Sequence, residues 1–138
     1  KERKKVTCQM CVLYENQCFG SLCMNCHRFR QTIDFYTRIL GMRLLEFGEG
    51  RKALAYANYK INFHTAGHAY EPTANNPTPG AADLCFIVET EIGDVRSWIE
   101  SLGVKIILGP VTRTGSQGII TSVYIHDPDK NLIELSTY

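Results

Sequence analysis

The residues whose spacing most directly suggests chemistry are cysteines. Cys8-x2-Cys11 and Cys23-x2-Cys26 form two CxxC pairs, with Cys18 between them and His27 directly after. Paired CxxC turns place two thiolates on one side of an ion, as structural Zn²⁺ requires. A β-strand over the second pair would instead send alternate residues to opposite faces, so Cys23 and Cys26 cannot serve both; reduced, unliganded thiols are the other reading. A disulfide scaffold spreads its cysteines through the chain, whereas here only Cys85 lies outside the cluster. Arg113, in Thr112-Arg113-Thr114-Gly115, reads as part of a glycine-bounded loop able to close over a cleft. Its guanidinium suits bidentate capture of a carboxylate or phosphate. Arg51 is a similar substrate-binding candidate, with surface ion pairing as its simpler role. Glu134 is the candidate catalytic carboxylate: in a partly apolar cleft, burial would raise its pKa and fit it as a general base. His126 reads as a strand-end cap.

These groups need elements to hold them. Thr32 reads as an N-cap, followed by Ile33, Phe35, Tyr36, Ile39 and Leu40 at helical spacing and stopped by Gly41. Met42–Phe47, Ala53–Ala57 and Lys60–His64 read as strands. Residues 65–82 hold three prolines and two glycines and read as loop. That loop carries His68 and Tyr70, and is a candidate lid or dimer contact. The order then repeats: strand Asp83–Val88, helix Ile92–Leu102 stopped by Gly103, and strands Val104–Leu108, Ile119–His126 and Asn131–Ser136. Ile39-Leu40-Gly41-Met42-Arg43-Leu44 and Ser101-Leu102-Gly103-Val104-Lys105-Ile106 superpose at an offset of 62. Two tandem βαβββ modules follow, an α+β fold whose mixed sheet curls around a cleft. The modules span about residues 20–67 and 82–138, with residues 1–19 as a Cys-rich leader and the first strand uncertain.

Bulk composition narrows the classes. A chain of 138 residues, 44% hydrophobic and 21% charged, has the size and balance of one globular domain. The net charge of +1 points to no nucleic-acid partner and no membrane surface. No apolar run approaches the ~20 residues of a membrane span. A cytoplasmic location is the expectation.

Four segments carry a family resemblance: TIDFYTRILGM (32–42), RKALAYANYKINFHTAG (51–67), PGAADLCFIVET (79–90) and GPVTRTGSQGIITSVYIHDPDKNLIELSTY (109–138). Together they resemble the vicinal oxygen chelate superfamily (glyoxalase, bleomycin resistance, dioxygenase), and within it an orphan branch. The resemblance implies metal ligands at four inward positions, on the first and last strand of each module. Those positions map to Ser21, Asn62, Asp83 and Glu134, with His64 able to add an imidazole from the strand face of Asn62. Ser21 stands where relatives carry His. Such donors would hold a divalent ion (Mn²⁺, Mg²⁺, Ni²⁺ or Zn²⁺) and favour the harder ones. The resemblance leaves three functions open. One is a metal-dependent lyase, isomerase or dioxygenase acting on a small oxygen-rich substrate. Another is a metal-free binder of the bleomycin-resistance type, and the third an altered form whose first strand has been replaced. It also implies a homodimer, since relatives complete the cleft within one chain or between two.

Overall fold

The computed structural model describes residues 20–48, 50–57 and 59–138. Cys8, Cys11 and Cys18 lie outside the described residues. The elements run β1 (Ser21–Cys26), α1 (Phe29–Ile39), β2 (Arg43–Phe47), β3 (Arg51–Tyr56), β4 (Tyr59–Thr65), β5 (Asp83–Ile87), α2 (Ile92–Ser101), β6 (Ile106–Gly115), β7 (Gly118–His126) and β8 (Leu132–Thr137). This is the expected pair of βαβββ modules. They form two four-stranded sheets rather than one, ordered β1-β4-β3-β2 and β5-β8-β7-β6. Each sheet is mixed, its opening strand lying parallel to its last.

Helix α1 starts three residues before Thr32, which is no N-cap but a buried residue of the helix. Thr32, Phe35, Tyr36 and Ile39 form its buried stripe, the i, i+3, i+4, i+7 pattern of a helix facing a core. Both helices end at a left-handed glycine, Gly41 (φ 67°) and Gly103 (φ 72°), a conformation that costs glycine little. The two glycines are 62 residues apart, so the repeat seen in sequence is a repeat of helix stops.

The uncertain first segment does form a strand. Met24 and Cys26 point into the core and are 4% and 1% exposed, while Ser21 and Cys23 face outward. Burying Met24 alone contributes on the order of 1.5–3 kcal/mol. Pairing with Lys60–Thr65 of β4 satisfies the strand's backbone. The alternation puts the two described cysteines of the expected knuckle on opposite faces, Cys23 exposed and Cys26 buried, with Cys26 Sγ near the His64 carbonyl (3.6 Å). Burial, reinforced by Asp129 and Asp127, pushes the Cys26 thiol up to about 12, so it stays protonated.

One core joins the modules, and the Asp127–Asn131 turn fastens it. Asp127, 2% exposed, accepts bonds from Tyr36 Oη (3.1 Å), the Asp129 and Asn131 N–H groups (2.9 Å each) and Asn131 Nδ2 (2.7 Å). Asp129 accepts from Thr32 Oγ1 and the His27 N–H, both at 3.0 Å. Trp98 Nε1 donates to the Ile39 carbonyl (3.1 Å), and Tyr56 meets Phe86 edge-on at 5.2 Å. A buried carboxylate is tolerated when its lone pairs are filled in this way.

Candidate ligand cavity on the second sheet

In the second sheet the inward parity is polar where the core parity is aliphatic. Across β7 and β8, Val123 faces Leu135 and Ile125 faces Ile133 on the core side; Ser122 faces Ser136 and Tyr124 faces Glu134 on the other. The pleat therefore lines up hydroxyls beside one carboxylate. Tyr124 Oη donates to Glu134 Oε1 at 2.8 Å and Ser136 Oγ reaches the same oxygen at 3.2 Å. Behind them Ser122 and Ser136, both fully buried, share a 2.8 Å bond, and Cys85 Sγ lies 3.6 Å from Ser136 Oγ. Arg113 completes the chain: its Nε donates to Tyr124 Oη (3.2 Å), and its guanidinium sits over the Tyr124 ring at 5.6 Å.

The electrostatics invert the expectation for Glu134. Burial alone would raise its pKa. Bonding from Ser122, Tyr124, Ser136 and Cys85 outweighs that and holds the carboxyl below its ordinary value. Glu134 is thus a stabilised anion and not a base poised near neutrality. The Tyr124 phenol moves up, by burial first and then by its bond to Glu134, so it remains a donor. The Cys85 thiol is also raised, chiefly by burial and then by the charge and hydrogen bond of Glu134 and the charge of Asp83, although its bond to Ser136 pulls the other way.

These groups open into a cavity of about 450 Å³, lined by Cys85, Arg113, Ile120, Tyr124, Glu134 and Tyr138 among others. That volume holds a small organic ligand. Arg113 does line it, but from within strand β6 and not from a loop. Gly115 pairs regularly with Gly118 at the end of the β6–β7 hairpin, whereas Gly109 (φ 111°) marks an irregularity in the strand pairing and lies so close to β7 that any Cβ there would strike the Ser122 carbonyl.

The other expected site residues fall in two places. Asp83 is on β5, two residues before Cys85, which pairs with Glu134; alternation puts Asp83 on the face of Glu134, on a neighbouring strand of the same sheet and not across a cleft. Asn62 and His64 are on β4 of the first sheet. Asn62 Nδ2 points to Cys23 Sγ (3.5 Å), and His64 Nδ1 accepts the Tyr70 N–H (3.0 Å). Ser21 lies on β1 and pairs with Lys60, and Arg51 opens β3. His126 is an exposed residue at the end of β7.

Among the described residues of one chain, no group of three or more His, Cys, Asp or Glu side chains is gathered closely enough to hold a metal ion. The second sheet supplies two carboxylates and the first an amide and an imidazole, so one chain alone does not fit a complete divalent-ion site. Reading the sequence missed Tyr124, Ser122, Ser136 and Cys85. The alternation of 122/124 and 134/136 against 123/125 and 133/135 was the available signal.

Residues 19–135 match the model of the Glyoxalase/Bleomycin resistance protein/Dioxygenase superfamily. A glyoxalase domain-containing protein, RDO1, of Mycosarcoma maydis is 50% identical over 117 residues, covering 85% of this chain and 66% of that one. Virulence protein STM3117 of Salmonella typhimurium is 52% identical over 107 residues, covering 78% and 74%. The crystal structure of STM3117 superposes with a TM-score of 0.87 at 46% identity, over 91% of this chain and 99% of that one. At 18% identity, where fold alone is shown, lie a lactoylglutathione lyase from Agrobacterium tumefaciens (TM-score 0.67, covering 90% and 96%) and TnmS3, an antibiotic binding protein from a Streptomyces species (0.70, covering 90% and 98%). A model match over most of the chain, two relatives near half identity and the twin βαβββ modules together mean that this chain belongs to the glyoxalase/bleomycin resistance/dioxygenase (vicinal oxygen chelate) superfamily.

Proposed function

We propose that the chain binds a small oxygen-rich molecule on the concave face of its second sheet, without needing a metal ion to do so. Glu134 is the anionic acceptor for hydroxyl or amine donors of the ligand, and Arg113 receives an anionic group. The observation carrying this reading is the Arg113–Tyr124–Glu134 hydrogen-bonded chain opening into the 450 Å³ cavity. Both charges are held in place before a ligand arrives, which reduces the ordering cost of binding. TnmS3, named as an antibiotic binding protein, is a binder on this scaffold. Within the family we group the chain with glyoxalase domain-containing protein 5, on its resemblance in the four segments quoted above. We also place its domain boundary near residue 20, its location in the cytoplasm and its working form as a homodimer. No helix of the described residues is long and apolar enough to cross a membrane.

The test is native mass spectrometry of chelator-treated protein against a panel of small hydroxycarboxylates and phenolic diols. A saturable adduct that weakens in Glu134→Gln and Arg113→Gln supports the reading. No adduct, or one indifferent to both substitutions, contradicts it.

A second reading, a divalent-ion-dependent lyase, isomerase or dioxygenase, is favoured by Asp83 and Glu134 sharing one face. Its remaining donors, Asn62, His64 and Ser21, sit on the other sheet, so it needs a second copy to bring the two faces together. Thermal shifts with Mn²⁺, Mg²⁺, Ni²⁺ and Zn²⁺ that vanish both in Glu134→Gln and on dilution to monomer would establish it. Absence of any shift would remove it.

A further inference from the structure

The first sheet has a cavity of its own, about 250 Å³, lined by Phe47, Arg51, Lys60, Asn62, His64 and Tyr70 among others. We propose that it is an anion-binding subsite, taking a carboxylate or phosphate group of a small molecule. The proposal rests on the reading of this chain as a small-molecule binder and adds a substrate class to it.

Arg51 is clamped rather than loose. Its guanidinium lies 5.2 Å from the centre of the Phe47 ring and 5.3 Å from that of Tyr70. Its Nη2 occupies the space a side chain at Gly48 would need, 2.9 Å from the ideal Cβ position there. A guanidinium held over two rings loses less freedom when it bonds an anion. Lys60 Nζ sits 4.8 Å from the centre of the same Phe47 ring, so one aromatic brings two cations to one mouth. Two like charges in one cavity repel, and an anion between them relieves the repulsion.

The loop after β4 finishes the wall. The Tyr70 N–H donates to His64 Nδ1 (3.0 Å), and the two rings meet at 5.6 Å. With Nδ1 accepting, a neutral His64 carries its proton on Nε2, a further donor lining the cavity. The charge balance is positive. Lys52 is already bonded to Glu46 (2.6 Å), and Glu71 is the cavity's acid. Among the described residues, the ion pairs within 4.0 Å include neither Arg51 nor Lys60. An ordinary surface arginine would be neither held over two rings nor joined by a second cation.

The experiment is an NMR titration of the whole 138-residue chain with inorganic phosphate and, separately, acetate, at constant ionic strength set with chloride. The Arg51 Nε–H and His64 ring resonances are followed. The expected result is a saturable single-site shift with at least one of the two anions, weakened about tenfold in Arg51→Gln and several-fold in Lys60→Gln, and intact in Arg113→Gln. Phosphate alone, acetate alone or both identifies the group recognised, and each supports the subsite. Shifts that grow linearly without saturation, that chloride reproduces, or that survive in Arg51→Gln overturn it. The Glu134 reading fails separately, through adducts indifferent to Glu134→Gln, an outcome that leaves the Arg51 signal as it was.

Discussion

The two sheets place matching backbone positions to opposite ends. Cys23 pairs with Asn62 in the first and Cys85 with Glu134 in the second, at the same place in the same strand order. In the first, the amide Asn62 is accompanied by Lys60 and His64 on its own strand face and by Arg51 nearby. In the second, the carboxylate Glu134 is accompanied by Tyr124, Ser122 and Ser136. Duplicated architecture thus carries a cavity with an excess of cations on the first sheet and one that sets a carboxylate beside an arginine on the second. The difference lies in the side chains that face away from the shared core, since the core parity of both sheets is largely apolar. On the proposed reading, stability sits on one face of each sheet and recognition on the other.

The largest way to break the comparison is to unfasten the modules. Asp127→Ala leaves Tyr36 Oη, two backbone N–H groups and the Asn131 amide without their acceptor, and should cost about 3 kcal/mol or more. Urea unfolding would show it, with one transition lost from both sheets together. If only the second sheet melted early, the shared core would be the wrong description.

Next, the chemical contrast can be erased. Asn62→Glu puts a carboxylate opposite Cys23 and should abolish phosphate and acetate shifts at Arg51 by forming an internal ion pair. Glu134→Asn should abolish small-molecule adducts on the other sheet. Both are read by the titrations already described, and either failing to act would show that the matched positions do not set the contrast.

A smaller effect concerns acid. The pKa of Glu134 is depressed on folding, so its contribution to stability is present above the carboxyl's unfolded value and is lost as pH falls through the lower folded one. Wild type should therefore lose its advantage over Glu134→Gln below about pH 4, a crossover that thermal melts at stepped pH would reveal. Tyr124→Phe should shrink that advantage by about 1 kcal/mol.

The smallest concerns thiols. Cys23 should alkylate with iodoacetamide faster than Cys85, whose thiol is raised, and Cys26 should stay unmodified in the folded protein. Peptide mass spectrometry reads the order. Rapid labelling of Cys26 would mean that β1 does not hold its place.

Much of the frame was legible because it is local. Helical stripes such as Phe35, Tyr36 and Ile39, the glycine stops and the 62-residue offset are properties of short windows. What escaped depends on partners far along the chain. Ser21–Cys26 carries apolar residues at alternate positions (Leu22, Met24, Cys26), but its Cys23-x2-Cys26 spacing offers a competing knuckle, and pairing with β4 and burial of Met24 and Cys26 decide for the strand. Arg113 was read as loop because the glycines around it, at 109 and 115, are turn signals, whereas here the chain keeps its strand past Gly109 through a shift in pairing. Glu134 was visible as an inward acid, but its environment was not. The hydroxyls that hold it anionic come from a neighbouring strand's register and from two buried serines. The proline-rich stretch forms neither strand nor helix beyond Thr65, which ends β4, yet its Tyr70 is a wall of the first cavity.

The account stands on Glu134 being an anion held by hydroxyls inside an open cavity. Carboxyl ¹³C NMR of the folded protein, titrated from pH 7 downward, measures that directly. A Glu134 midpoint below the ordinary 4.5, moving upward in Tyr124→Phe, is the predicted result. A midpoint well above 4.5, as a buried general base would show, would contradict it.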